Sequence, residues 1–545
     1  TELVNVPARH RSLRATIDHT WSLLEPAKQE FFASLGVFHG GFTEAAAMQV
    51  ANTNAAQIQA LADHFLVRQA GGGRYYLHES LRQYAAEKLA LDPAREQDIR
   101  NRHSEATLGR LAACEEQLDS PDQPRILAEL APDQDNIRQA WIHAVQSNHQ
   151  EVLNHSLQAV FLFHDLRSRY AEGVELADMA LDLPDAPVLQ ARLHNRRGIL
   201  LIRLSHYEEA SQSFQAAASL LQSSEVYDEQ ALSLMWQANL ARKIKSNLEA
   251  QNLAQEALKL ARTHHLTRQE ASALYFLGII HSNMSHLEEA RACLQEGLAL
   301  ARQLEKPGLI ASCLNVMADL DCAEGEYHSA LATYSECLEI SRKLGNRYNI
   351  AMHLNNLGTV HHLMGDYASA GGLYRESLAL CREIGDVNGE AVDLATLGGL
   401  EVLAEDSREP EGSFRQALEI GRRTEDITSI VVSLVNLGQA LTRLGRMDAA
   451  LGTLGEALDL SRQTQMYNNH AQAVLFLGEW AEQKQQAGKA NLLARLALAH
   501  PALEEHYQQP ARDLVQRTGG EPNSPLPPLD DVVDQILSGK FWTTP

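Results

Sequence analysis

The chain has 545 residues, too many for one hydrophobic core, so two or more domains are expected. Hydrophobic content of 45% with only 6% aromatic residues favours helix-on-helix packing over a sheet-rich fold. With 47 Lys and Arg against 70 Asp and Glu, the formal charge of −23 argues against a general nucleic-acid-coating role, because phosphates would be repelled.

No apolar run reaches the ~18 residues of a membrane span, so no membrane partner is expected. The opening "TELVNVPARHRSLRAT" lacks the sections of a signal peptide and does not start with Met, which reads as a fragment of a cytoplasmic protein. Cys114, Cys293, Cys313, Cys322, Cys337 and Cys381 form no C-x-x-C pair. They read as small buried residues in a reducing compartment, with no metal site.

In chain order, "RHRSLRATIDHTWSLL" has helical periodicity, and Pro26 opens "PAKQEFFASLGVF" at a favoured first-turn position. "GGFT" breaks the chain, Thr43 can cap "EAAAMQVA", and "NAAQIQALADHFLV" follows as a further helix. "RQAGGGRYYLH" reads as a short hairpin and "ESLRQYAAEKLAL" as the next helix. Several short helices and a hairpin are the parts of a winged helix, expected over residues 1–95. DNA contact is disfavoured, because residues 1–100 hold ten Lys/Arg against eleven Asp/Glu. "NAAQIQALADHFLV", the helix that would enter a groove, has no Lys or Arg at all.

Residues 96–150 read as a helical linker and 151–187 as an irregular capping pair. From there a fixed period takes over. A small residue recurs at Gly198, Ala238, Gly278, Ala318, Gly358, Gly398, Gly438 and Gly478, each 40 residues after the last. Twelve residues later come Ala210, Ala250, Ala290, Ala330, Ala370, Pro410, Ala450 and Ala490. Two antiparallel helices approach closely only where small residues sit at their crossing. Each pair also keeps an apolar face wet until the next pair stacks on it. Eight such pairs are expected over residues 188–500, with a late start or bend at Pro410. Residues 501–545 form a C-terminal helix and Pro-rich tail.

The pattern of a small residue, Tyr207, Tyr327 or Tyr367 nine later, Ala, then Phe214, Tyr334, Tyr374 or Phe414 resembles the longer, 40-residue variety of tetratricopeptide repeat. The fold class expected is therefore all-α: an α-α superhelix of tetratricopeptide repeats preceded by a small winged-helix domain with a β-hairpin. "RHRSLRATIDHTWSLL", "FFASLGVFHGGFTEAAA" and "RYYLHESLRQYAAEKL" together resemble the winged-helix segment of STAND-type signalling ATPases, the class that includes NB-ARC regulators. "DQDNIRQAWIHAV" resembles the helix that joins such a segment to its sensor. That resemblance implies a nucleotide switch in which a His opening the last winged-helix helix touches the phosphates of ADP. The matching residue is His78, within Leu77-His78-Glu79. Read from the residues alone, His78 ends the hairpin and Glu79 favours the helix N-terminus through the macrodipole.

The ATPase itself is absent from this chain. A phosphate-cradling loop needs G-x-x-x-x-G-K-[ST], and the nearest string, "QKQQAGKAN", offers Gln483 for the first Gly and Ala490 for the hydroxyl. His264-His265 and His361-His362 are helix neighbours about 100° apart, so neither pair forms a two-ligand face. No catalytic residue and no resident cofactor are expected; ADP or ATP would belong to a full-length parent.

In tetratricopeptide arrays the first helix of each pair lines the concave face. On this phase the lining residues are Arg192, Asn195, Arg196, Arg203, Trp236, Asn239, Arg242 and Lys243. Further along come Tyr275, Phe276, Asn283, Asn315, Asp319, Asn355, Asn356 and His362. Arg forks hold carboxylates or phosphates and Asn clamps an extended backbone, so the expected ligand is a protein loop, an acidic peptide or a phosphorylated small molecule. The chain thus reads as the sensor half of a STAND-type regulator acting on an upstream ATPase domain. A free-standing adaptor is the alternative, and a DNA-binding regulator a third reading.

Overall fold

The computed structural model describes residues 8–244, 246–403, 411–424, 426–519 and 525–543. They divide into two compact units, one of residues 1–164 with 175–193 and one of residues 165–174 with 194–545.

In the first unit, helices Ala8–Leu23, Pro26–Ser34, Glu44–Ala51, Ala55–Asp63 and Glu79–Leu89 surround a small core of Phe31, Phe32, Leu35, Phe42, Ile58, Leu61 and Tyr84. Thr43 accepts the Ala46 amide at 3.2 Å and Asn54 the Gln57 amide at 3.1 Å, so each side chain starts its helix by satisfying an orphan N–H. The hairpin consists of β2 (Arg68–Ala70) and β3 (Arg74–Tyr76). A third strand, β1 (Phe42–Thr43), pairs antiparallel with β3 to give the order β1-β3-β2, with Phe42 opposite Tyr75. Two residues are too few to show a period of two, so only the hairpin was legible.

Helix Gln134–Gln146 belongs to the same unit, and Asp133 ahead of it is a junction. Its carboxylate takes the Arg74 guanidinium of β3 at 2.5 Å and Arg110 at 2.6 Å. Asn136 donates to the Gly41 carbonyl at 2.8 Å and accepts the His39 amide at 2.7 Å. The "DQDN" segment therefore binds sheet, preceding helix and following helix into one body. Residues 96–150 pack with the preceding helices and the three-stranded sheet as part of that body.

The second unit contains the repeat array from His194 onward, and the first turns of its opening helix belong to the first unit. First helices begin at Pro187, Tyr227, Thr267, Pro307, Arg347, Val387, Ile427 and Tyr467, a constant step. Second helices run Tyr207–Leu221, Asn247–Thr263, Leu287–Gln303, Tyr327–Leu344, Tyr367–Ile384, Glu411–Thr424, Met447–Gln463 and Ala487–Ala499. These pairs are called repeats one to eight in chain order. Pro410, where a bend was expected, lies outside the described residues.

The small residue at mid-helix has a direct cause. A Cβ on Gly358 would stand 2.6 Å from the ring of Tyr374, and one on Gly438 would stand 2.5 Å from Leu454. The glycine thus makes room for a bulky side chain sixteen residues later, while Ala238 faces the same phase occupied by a small Ala254. Gly358→Ala is expected to cost about 1–3 kcal/mol through overpacking, read as a lower urea midpoint. An unchanged midpoint would show that Tyr374 has room to move.

After repeat eight, helix Glu505–Thr518 packs on the last pair, and helix Leu529–Leu537, with Val532, Val533 and Ile536 buried, contacts the second helix of repeat seven. Arg462 anchors that tail helix through Asp534 at 2.7 Å. Helix Glu505–Thr518 thereby covers the apolar face of the last repeat. Among the described residues no helix is long and apolar enough to cross a membrane.

Candidate binding lumen of the repeat array

The array coils until its turns touch. Lys243, closing the first helix of repeat two, lies 3.5 Å from Asp426, which heads the first helix of repeat seven. The Tyr207 hydroxyl donates to Asp426 at 3.1 Å, and Asn388 of repeat six makes a short hydrogen bond to the same hydroxyl. The Arg203 guanidinium stacks 4.5 Å from the Tyr348 ring centre of repeat five. Further along, the turn of repeat four sits against the helix that follows repeat eight: a Cβ on Gly325 would be 3.1 Å from Glu505 Cγ. The exit ends of early first helices thus rest on the entry ends of first helices about five repeats later.

The first-helix face beside this seam is the candidate site. Tyr275 and Tyr348 are half-buried and Asp319 is exposed. Enclosure pushes the hydroxyls of Tyr275 and Tyr348 up to about 12. It also raises the Asp319 carboxyl, against the hydrogen bond from Tyr334.

The sequence-derived lining residues have distinct fates. Arg192 belongs to the first unit and donates to the carbonyl and side-chain oxygens of Asn154 at 3.1 and 2.6 Å. Arg196 is 9% exposed and makes a two-pronged ion pair with Glu229 at 2.6 and 3.0 Å, and Asn195 donates to the same carboxylate at 2.9 Å. Arg203 holds Asp165 at 3.2 Å. Arg242 donates to Asn239 at 3.0 Å and enters no ion pair among the described residues. Trp236 meets Phe276 edge-on at 5.7 Å, and Tyr275 lies beside them.

The asparagines mostly tie neighbouring first helices. Asn356 donates to Asn315 at 2.8 Å, Asn315 to Asp319 at 3.4 Å, and Asn355 to Asp393 at 2.6 Å. His362 and Asn283 are half-buried on the same face.

Tyr207 entered the sequence reading only as a repeat-pattern residue, and Tyr348, Asp386, Asn388, Asp426 and Glu479, which it did not single out, also matter here. Asp386 and Asp426 do carry a signal, since each caps a first helix by accepting an amide three residues on. Nothing in a repeat pattern says which distant cation such a cap will meet.

In the first unit His78 is exposed and caps helix Glu79–Leu89, its Nδ1 accepting the Ser80 amide at 3.3 Å. Glu79 turns along the helix to Arg82 at 2.6 Å and to Gln83 at 2.9 Å, and the Arg82 contact holds its carboxyl down to about 2. The pair therefore starts a helix, with the His78 ring open to solvent. All six cysteines are free, and burial pushes the thiols of Cys313, Cys322 and Cys337 up to about 12, which leaves them poor nucleophiles.

Sequence models of the tetratricopeptide repeat match residues 271–304, 309–383, 349–423 and 433–465. The chain carries tetratricopeptide repeats. A protein of Mycobacterium tuberculosis named as an HTH-type transcriptional regulator is 32% identical over 151 residues, 26% of this chain and 17% of that protein. The chain thus spans less than a fifth of that relative's length. Among solved structures, a Rap protein complexed with competence and sporulation factor superposes with a TM-score of 0.51 at 15% identity, covering 70% of this chain and 98% of that one. A STAND signal-transduction ATPase with a tetratricopeptide repeat sensor from Pyrococcus horikoshii gives a TM-score of 0.37 at 13% identity, covering 92% of this chain and 67% of that one.

Proposed function

We propose that this chain is the sensing region of a regulator, in which the lumen of the repeat array binds a peptide or an extended protein segment. One observation carries the reading: early and late repeats touch through Lys243–Asp426, Tyr207–Asp426 and Arg203–Tyr348, while Arg242, Tyr275, Asp319 and Tyr348 on the first helices still meet solvent. Such a wall removes a ligand from bulk water while offering fixed polar partners. The Rap protein of similar fold is complexed with a factor, which fits a repeat array serving as receptor.

In this proposal the first unit is the winged-helix segment of a STAND-type, NB-ARC-like switch, and an upstream ATPase domain is its partner. Helices, strand order β1-β3-β2 and the Arg74–Asp133–Arg110 junction support that reading, because they make sheet and connecting helix move together. On this reading His78, exposed at a helix start, would contact the phosphates of ADP held by that partner. Ligand binding shifts the switch only by its differential affinity for the two states. A transcriptional output is favoured by the name of the mycobacterial relative. Helix Ala55–Asp63 carries no Lys or Arg, so base readout would fall to another part of the protein.

The test uses a random-sequence library of short peptides with free ends, passed over the immobilised chain and over its Arg242→Glu variant. Retention by the parent chain and loss by the variant is the expected result. No retained peptide, or equal retention by both, would remove the lumen as the binding site. An in-frame P-loop domain upstream of Thr1 separates the switch from the alternative, an adaptor that needs no nucleotide.

A further inference from the structure

The seam covers the exit ends of early first helices and the entry ends of later ones, and residues of equal phase show where that cover stops. Tyr207 of repeat one is 3% exposed beneath Asp426 and Asn388. Tyr327, three repeats on, is half-buried, and Tyr367 of repeat five is 49% exposed. Leu204, Ile244 and Met284 are half-buried, whereas Met364 and Leu444 at the same phase are exposed. Single exposed apolar residues need no partner, but Met364, Tyr367 and Leu444 recur along one edge of the coil.

The seam also has a polarity. Its exit ends supply the cations, Arg203 over the Tyr348 ring at 4.5 Å and Lys243 beside the Asp426 carboxylate at 3.5 Å. Arg443 of repeat seven stands at the phase of Lys243 and is exposed. At the entry end of repeat two, Asp228 stands at the phase of Tyr348 and Asn388, with Glu225 before it, and both carboxylates are exposed. Among the neighbours on that edge, Glu305 of repeat four follows the pattern and Arg268 of repeat three runs against it. The late exit edge and the early entry edge thus keep the two halves of the seam's chemistry, each in contact with solvent.

We propose that a second copy of this chain docks the entry edge of its repeat two onto the exit edge of repeats five to seven, repeating between molecules the contact that the coil makes with itself. An exit edge and an entry edge are different surfaces, so the association is head-to-tail and leaves one edge of each kind open at its ends. Met364, Tyr367 and Leu444 lose water in it, as Tyr207 does within the coil. Arg443 gains a carboxylate, as Lys243 does. Nothing in this contact uses Arg242, Tyr275 or Asp319, so ligand binding and association are read separately.

The experiment is sedimentation of the full chain at increasing concentration, where the average mass is expected to rise beyond that of one chain. Arg443→Glu, Tyr367→Asp and Asp228→Lys are each expected to raise the concentration needed for association by about tenfold or more, because each places like charges together or a charge in an apolar contact. Mixing Arg443→Glu with Asp228→Lys is expected to restore association, since the new acid of one variant meets the new base of the other. Recovery in the mixture also shows that both variants are folded. A parent chain that stays single at every concentration overturns the proposal. Association weakened by Arg443→Glu but untouched by Asp228→Lys means that exit edges pair with each other, which overturns it as well. So does a mixture that stays as weak as its two components.

Discussion

Asp426→Ala is expected to open the seam and cost about 3–5 kcal/mol, the usual result of removing one partner from a buried pair. Asp426 is 2% exposed and serves three groups at once: Lys243 at 3.5 Å, the Tyr207 hydroxyl at 3.1 Å and the Ser429 amide at 3.2 Å. Its loss leaves the Lys243 ammonium without the carboxylate that pairs it and uncaps a helix, a further contribution of about 1 kcal/mol within that range. The measurements are the urea midpoint and the radius of gyration in solution, the first falling and the second rising. A lower midpoint with unchanged radius would mean that the turns stay stacked without this contact. If neither quantity moved, the seam would carry no stabilisation.

The same carboxylate sets a pH response. Burial works to raise Asp426, but Lys243, the Ser429 amide and the Tyr207 hydroxyl outweigh it and hold it below the ordinary value. A folded value below the unfolded one means the stabilisation is complete above the unfolded pKa of about 3.9. It is lost as pH falls through the folded value. The seam should therefore be indifferent to pH near neutrality and yield only in acid.

The second large effect belongs to Glu229. This side chain is 2% exposed and accepts from both prongs of Arg196 and from Asn195. Glu229→Ala is expected to destabilise by about 3–5 kcal/mol, because the guanidinium would stay in the wall between repeats one and two without its carboxylate. Replacing both partners by apolar residues of similar volume, Glu229→Leu with Arg196→Met, should recover much of the loss, since no charge is then desolvated. Chemical denaturation of the single and double variants checks both statements. A double variant no better than Glu229→Ala would show that the pair is held by more than mutual charge.

The repeats were legible in the sequence for a physical reason. Gly358 must admit Tyr374 and Gly438 must admit Leu454, so a small residue is demanded at one phase of every pair. Thr43 and Asn54 were similarly readable, because a cap acts on an amide three residues away. Longer relations were not. Tyr207 meets Asp426 across 219 residues, a distance set by the summed rotation of several pairs. A small change in the angle per pair would deliver Lys243 to a different partner. Phase alone placed Arg196 and Arg242 on the same face, and only coordinates separate the one held by Glu229 from the one held by an amide.

Solenoids are usually treated as chains in which each unit knows only its neighbours, so units can be gained or lost with little consequence. Contact between successive turns removes that freedom. Excising any single pair between Lys243 and Asp426 would advance the later half by one step and set Lys243 against the wrong helix end. Copy number is thereby locked, and melting should proceed as one event across both turns rather than fraying inward from a terminus.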